Sequence, residues 1–233
     1  MRVEPYGVGS IVHVIKRGAR GTLLVRDERD KAQFAESLFH FNDSHIDPNR
    51  IEALKACVPL ERPGHWPDRD PLVLIHAWAL VSNHFHLLLE EIREGGIAKF
   101  MQRLCGSMSV AFNAKYAETG SLFQSSYKSR TVDGDAYLRY LAFYIQVKNV
   151  LELYPGGLKM AVKNFDDAWE WALAYPFSSL PAYAANKQSP IADMKLFSEM
   201  FPDKKAFKEE AREMILLNMH QHEEYADLIL EPW

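Results

Sequence analysis

Apolar positions alternate along the first stretch of the chain, where Val8, Ile11, Val12, Val14 and Ile15 predict a strand over Val8 to Lys16. Gly18 and Gly21 break it, and Leu23-Leu24-Val25 predicts a second extended run. Asp27 can cap a helix over Arg29 to Asn42, in which Ala32, Phe34, Ala35, Leu38 and Phe39 fall near one face. The segment 43–70 collects Pro48, Pro59, Pro63 and Pro67 among Asp and Arg residues, and reads as an irregular insertion with room for a short helix at Arg50 to Ala56. Leu72 to Val81 and 84–90 predict two strands, joined at Ser82-Asn83 into a hairpin. Ile97, Phe100, Met101, Leu104, Met108, Ala111 and Phe112 recur at helical spacing, so Ile97 to Tyr116 predicts a helix. Gly120 to Arg130 is polar and aromatic, a loop or short strand. Asp133 or Asp135 can cap a helix over Ala136 to Leu153, which Pro155-Gly156-Gly157 stops. A short helix at about 164–174 precedes the turn Pro176-Phe177-Ser178-Ser179, and 188–233 reads as helical, amphipathic and acidic.

The order strand, strand, helix, strand, strand, helix, helix predicts an α+β fold. The preferred arrangement is a ferredoxin-like antiparallel sheet with the histidine strand central and helices packed on one face, plus an acidic helical C-terminal extension. Residues 1–185 are expected to form one domain, with 43–70 inserted in it, and 186–233 a tail.

Composition refines this picture. An apolar fraction of 48% can build a core, and 25% charged residues suit a globular protein. No apolar run approaches the roughly 18 residues of a membrane span, and Met1-Arg2-Val3-Glu4-Pro5 lacks the apolar stretch of a secretory leader. Cys57 and Cys105 form no Cys-x-x-Cys spacing, which argues against a disulfide framework and fits a reducing cytoplasm. The net charge of −4 conceals a gradient. Between Lys99 and Lys148 seven basic residues face three acidic ones, whereas between Glu199 and Trp233 four basic residues face nine acidic ones. An acidic tail thus masks a basic front, and local positive potential is what attracts phosphate.

The candidate chemistry centres on Ser82-Asn83-His84-Phe85-His86-Leu87-Leu88-Leu89-Glu90. Strand side chains alternate, so His84 and His86 share a face while Phe85 points into a core. Two adjacent imidazoles are either half-buried strand residues or a pair of metal ligands, and a metal so held can polarise a phosphate. Tyr137, Tyr140 and Tyr144 form one stripe on the helix Ala136 to Leu153. Such a stripe is core packing, or it offers a phenolic nucleophile to a metal-bound phosphodiester. Lys16, Arg17 and Arg20 are candidate phosphate contacts, and Phe123, Gln124 and Tyr127 candidates for stacking on or bonding an unpaired base. Asn83 suits the hairpin turn. His220 and His222 repeat the His-x-His spacing, but on a helix they diverge by about 200°, which argues against a shared metal.

Several stretches, in order, resemble the single-tyrosine transposases of the His-hydrophobe-His nuclease superfamily, above all the REP-associated tyrosine transposases. They are Val12-His13-Val14-Ile15-Lys16-Arg17-Gly18, the run from His76 to Leu88 that ends in Asn83-His84-Phe85-His86-Leu87-Leu88, and Gly96 to Leu104. Phe112-Asn113-Ala114-Lys115-Tyr116 with Gly120-Ser121-Leu122-Phe123-Gln124, Tyr137-Leu138 with Tyr144-Ile145, and Trp171 to Tyr183 complete the set. The resemblance spans about 8–183. It implies His84 and His86 as ligands of Mg²⁺ or Mn²⁺, Tyr144 as nucleophile, and cleavage and rejoining of single-stranded or hairpin DNA through a 5′-phosphotyrosine. The candidate DNA contacts are Lys16, Arg17, Arg20, Arg103, Gln124, Tyr127, Lys128 and Arg130, and the chain is expected to be a monomer or homodimer outside the membrane.

One departure stands out. The family helix reads Tyr-Ile-x-x-Asn-Pro, and this chain reads Tyr144-Ile145-Gln146-Val147-Lys148-Asn149. Lys148 occupies the place of the residue that completes the metal shell, and a protonated lysine has no lone pair to donate. Asn149 substitutes, water fills the position, or Lys148 contacts phosphate directly. A protein that binds hairpin DNA on the same fold without cutting it is the alternative. A third class, hydrolysis of small phosphoesters, would need more acidic ligands than surround the histidines.

Overall fold

The structure, a computed structural model, describes residues 5–45, 47 and 60–218. Its first part runs β1 (Ile11–Arg17), α1 (Glu28–Phe41), β2 (Val73–Leu80), β3 (His84–Glu91), α2 (Gly96–Tyr116) and β4 (Lys128–Thr131). The strands form one antiparallel sheet in the order β2-β3-β1-β4, the ferredoxin-like arrangement, with the histidine strand in the interior. Leu23 to Val25 forms no strand, and the fourth strand is β4, from the stretch that read as loop or short strand. The reason is local. Gly18 turns the chain straight after β1, so closely that a Cβ there would lie 2.0 Å from the Thr22 carbonyl oxygen, and Leu24 is then drawn into the core beside α1.

Two carboxylates start the two crossover helices. Asp27 accepts the Asp30 N–H at 2.9 Å and caps α1. Glu91, 3% exposed, accepts the N–H groups of Gly95 and Ile97, both at 2.7 Å, at the positive end of α2. Gly96 lets α2 begin against β2, because a Cβ would sit 2.3 Å from the Leu72 carbonyl oxygen. The register of β2 slips between Ile75 and Ala77, leaving His76 as an extra residue. This bulge inverts the alternation, so Val73 and Ile75 before it and Trp78 and Leu80 after it all enter one core with Phe85, Leu87 and Leu89.

α1 and α2 cover that face, as the one-sided arrangement expects. The opposite face is covered too, by the chain after β4: α3 (Asp135–Phe143), a π turn (Tyr144–Lys148), α4 (Asn149–Leu151), α5 (Gly157–Lys163), α6 (Phe165–Ala174), α7 (Leu180–Ala184), α8 (Lys195–Met200) and α9 (Lys204–Asn218). Ala77, Ala79 and Leu88 of the sheet share this second core with Tyr144, Ile145 and Val147. The segment expected to be an acidic tail enters the same core, since Phe197, Phe207 and Ala211 are each 0% exposed. Its charges serve as ties: Arg139 of α3 makes a two-pronged contact with Glu210 of α9, and Lys208 and Arg212 both meet Asp166 of α6. The short helix expected at Arg50 to Ala56 and the triplet His220-Gln221-His222 lie outside the described residues. No helix among the described residues is long and apolar enough to cross a membrane.

Candidate active site

Strand register gathers the site on the second face. Across the β1–β3 ladder Arg17 lies opposite His84, Ile15 opposite His86 and His13 opposite Leu88. Across β1–β4 Lys128 lies opposite Ile15 and Arg130 opposite His13. Opposed residues share a face, so His13, Arg17, His84, His86, Lys128 and Arg130 all look the same way, toward the helices that carry the tyrosines.

The imidazoles are held by hydrogen bonds to Nδ1. His84 Nδ1–H donates to the Asn83 side-chain oxygen at 2.7 Å, which leaves Nε2 as the lone-pair nitrogen of that ring. His86 Nδ1 lies 3.0 Å from His13 Nε2, and the two rings stack with centroids 5.2 Å apart. The rings of His84 and His86 meet edge-on at 5.0 Å. Tyr144 stands edge-on to His86 at 5.4 Å and to His13 at 6.2 Å. Tyr140 stacks behind Tyr144 at 5.7 Å, and Tyr137 behind Tyr140 at 6.4 Å. The stripe is therefore core packing along most of its length, with Tyr144 the member that meets the histidines. The site is closed: His84, His86 and Tyr144 are 7%, 0% and 2% exposed.

The helix expected to run unbroken over Ala136 to Leu153 instead widens into the π turn at Tyr144–Lys148. The Asn149 N–H donates to the Tyr144 carbonyl, five residues back. In an α-helix that donor would be residue 148. The π turn thus advances the backbone register by one residue, so that Asn149 rather than Lys148 bonds back to the Tyr144 carbonyl. Lys148 stays beside Tyr144. Its Nζ pairs with Glu152 at 2.6 Å and lies 4.9 Å from the centre of the Tyr144 ring. Asn149 is 0% exposed, and neither its amide nitrogen nor its amide oxygen has a hydrogen-bond partner among the described residues. Gln146 braces the turn by accepting from Ser179 Oγ at 3.2 Å, and Ser179 in turn accepts the Trp78 N–H of β2 at 3.1 Å.

Among the described residues no group of three or more His, Cys, Asp or Glu side chains is arranged as a metal cage. The candidate donors are the two imidazoles and the buried amide of Asn149, five residues after Tyr144. The buried, unsatisfied Asn149 amide fits that set: such a group costs stability unless a ligand satisfies it. Two nitrogens and one neutral oxygen suit a divalent cation that keeps open positions for substrate oxygens.

The residues expected to touch DNA divide by face. Arg17, Lys128 and Arg130 flank the histidines, and Arg20 lies exposed in the short turn Ala19–Gly21 after β1. Gln124 is exposed and bonds its N–H to the Arg17 carbonyl at 3.1 Å, and Tyr127 shares a hydroxyl contact with Tyr6 at 3.1 Å. Lys16 and Arg103 are not brought to this surface. Alternation sends Lys16 to the other side of the sheet, 9% exposed, where Nζ bonds the Ser125 carbonyl and lies 4.8 Å from the centre of the Phe123 ring. Burial there pushes its ammonium below its ordinary pKa. Arg103 sits on α2, where its guanidinium donates to the Asp43 carbonyl. His13 and the orienting role of Asn83 were missed by sequence reasoning. The signal for His13 is its place on a strand beside the histidine strand, with the parity of Ile15 and Arg17.

The sequence matches the family model described as IS200-like transposase over residues 70–148, which contain the histidine strand, α2, β4 and the tyrosine helix through its π turn. No curated protein sequence matches the chain. Among solved structures, the REP-associated tyrosine transposase bound to a REP hairpin is similar at 15% identity with a TM-score of 0.44, covering 82% of this chain and 92% of that one.

Proposed function

We propose that this chain, which matches the IS200-like transposase family model over residues 70–148, cleaves and rejoins single-stranded or hairpin DNA through a covalent bond between Tyr144 and a 5′-phosphate. The family carries transposase-type DNA binding and nuclease function. The finer reading rests on the meeting of Tyr144 with His86 at 5.4 Å, beside His84, within one chain. His84 and His86, with the Asn149 amide, would hold Mg²⁺ or Mn²⁺. Bound there, the cation would supply positive charge to the scissile phosphate.

The chain's own groups do the rest. The Tyr144 oxygen bonds to phosphorus as its proton leaves to solvent. The bond from phosphorus to the 3′ oxygen breaks, and that oxygen takes up a proton to become a 3′-hydroxyl. The phosphotyrosine conserves the phosphodiester bond, so an incoming 3′-hydroxyl reverses the step and joins strands. Arg17, Arg20, Lys128 and Arg130 bind the DNA backbone around the site, and Gln124 and Tyr127 approach an unpaired base. Because Tyr144 and both histidines are almost fully covered, the π turn parts from β3 to admit DNA. A π turn, a form frequent at functional sites, suits that movement.

The alternative, hairpin binding without cleavage, drew its motive from Lys148 in the third-donor place. The i to i+5 bond from Asn149 to Tyr144 supports Asn149 rather than Lys148 as the third donor. A denaturing-gel assay with labelled hairpin DNA and Mn²⁺ tests the proposal. A covalent protein–DNA band is expected, lost with EDTA and in Tyr144→Phe. Retarded DNA with no adduct under any metal would overturn it in favour of the binding module.

A further inference from the structure

One buried polar contact takes no direct part in this chemistry: the bond between His13 of β1 and His86 of β3. Both side chains are shut from solvent, at 1% and 0% exposed, and their rings lie nearly parallel, 16° apart. Ile15, not His13, stands directly opposite His86, so the contact runs diagonally across the ladder. A hydrogen bond between two neutral imidazoles needs one N–H and one lone pair, and it therefore fixes the tautomer of both rings at once.

Only two arrangements satisfy the 3.0 Å contact. If His13 donates, His86 carries its proton on Nε2 and has no lone pair there for a metal. If His86 donates from Nδ1, its Nε2 lone pair is presented and the His13 proton sits on Nδ1. His84 already shows the second pattern, with Nδ1–H given to Asn83 and Nε2 the lone-pair nitrogen.

We propose that His13 is a positioning residue of the metal centre: its Nε2 accepts the Nδ1–H of His86 and so holds His86 in the tautomer and orientation that present Nε2 to a divalent cation. The proposal rests on the reading of His84 and His86 as ligands. Second partners of this kind fix ligand orientation, and losing one costs about 10- to 100-fold in metal affinity. The choice of an imidazole has a chemical consequence. A carboxylate in that place would cancel part of the cation's charge, whereas a neutral ring leaves it for the anionic phosphate.

Mn²⁺ binding to the full chain, followed by the electron paramagnetic resonance of free Mn²⁺, tests this without any DNA or turnover. Three variants separate the roles. His13→Ala removes the ring. His13→Phe keeps a stacked ring and the packing but offers no acceptor. His13→Gln offers an amide oxygen as acceptor. Thermal melting confirms which variants fold. The expected result is a 10- to 100-fold weaker Kd in His13→Ala and His13→Phe, and His13→Gln within a few-fold of wild type. Wild-type affinity in His13→Phe would overturn the positioning role alone and leave the ligand reading standing. A wild-type chain that binds no Mn²⁺ would overturn the ligand reading, and this inference with it.

Discussion

Asn149 concentrates the residue-scale argument. A fully buried amide with no hydrogen-bond partner among the described residues costs about 1–3 kcal/mol, and a fold retains such a group where something else repays it. Asn149→Leu, close in volume and apolar, is accordingly expected to raise the melting temperature while abolishing Mn²⁺-dependent adduct formation. A variant that is both less stable and fully active would contradict the ligand role. At this scale the sequence was legible where alternation decides. His84 and His86 share a face because strand parity demands it, and Phe85 enters the opposite core. It was less legible where two strands must be docked first. His13 acquires meaning only when β1 is laid beside β3, and Lys16 and Arg17 differ in role because adjacent residues point to opposite sides of the sheet.

Among elements, the amphipathic helices and the hairpin were readable within a residue or two, because helical or strand periodicity and a capping carboxylate agree there. The π turn was hidden. Residues 141–150 are buried without exception, so no polar face marks a change of period. What the wider turn changes is the backbone partner of Tyr144, whose carbonyl accepts from Asn149 five residues on. The start of α1 yields a stability prediction. Lys115 of α2 bonds both carboxylate oxygens of Asp27, at 2.8 and 2.6 Å, and also reaches Asp30 at 2.6 Å. Its bond, followed by that from the Asp30 N–H, holds the Asp27 carboxyl below its ordinary pKa. A carboxyl depressed in the folded state contributes its stability above the unfolded pKa and loses it as pH falls through the folded one. Urea midpoints of wild type and Lys115→Met should therefore differ most near neutrality and converge as pH is lowered below the ordinary carboxylate pKa near 4. A constant difference across that range would show that Lys115 acts by packing alone.

At the scale of the whole molecule, the second helical layer is what makes the site. A ferredoxin-like sheet with one covered face would leave the histidines in solvent. The chain after β4 folds back over them and carries Tyr144 into contact with its own chain's His86. Sequence patterning found those helices but not their destination, since an acidic, amphipathic segment reads equally as a tail. Phe207 shows the difference: it is 0% exposed and packs against Phe143, Trp169, Tyr183 and Phe201. Phe207→Ala should cost about 3–5 kcal/mol in a denaturant titration, whereas a detached tail would show no change. Tyr144 meets His86 of its own chain, which sets a test of the proposed site. A mixture of His86→Ala and Tyr144→Phe chains should form no more adduct than either alone, and recovery in the mixture would mean that the tyrosine serves a partner's histidines.

Mass spectrometry of the trypsin- and nuclease-treated adduct, formed with hairpin DNA and Mn²⁺, tests the central claim most directly. The account predicts a phosphodeoxynucleotide on the peptide that ends at Lys148, localised by fragmentation to Tyr144. Its appearance on Tyr140, or on no tyrosine at all, would contradict it.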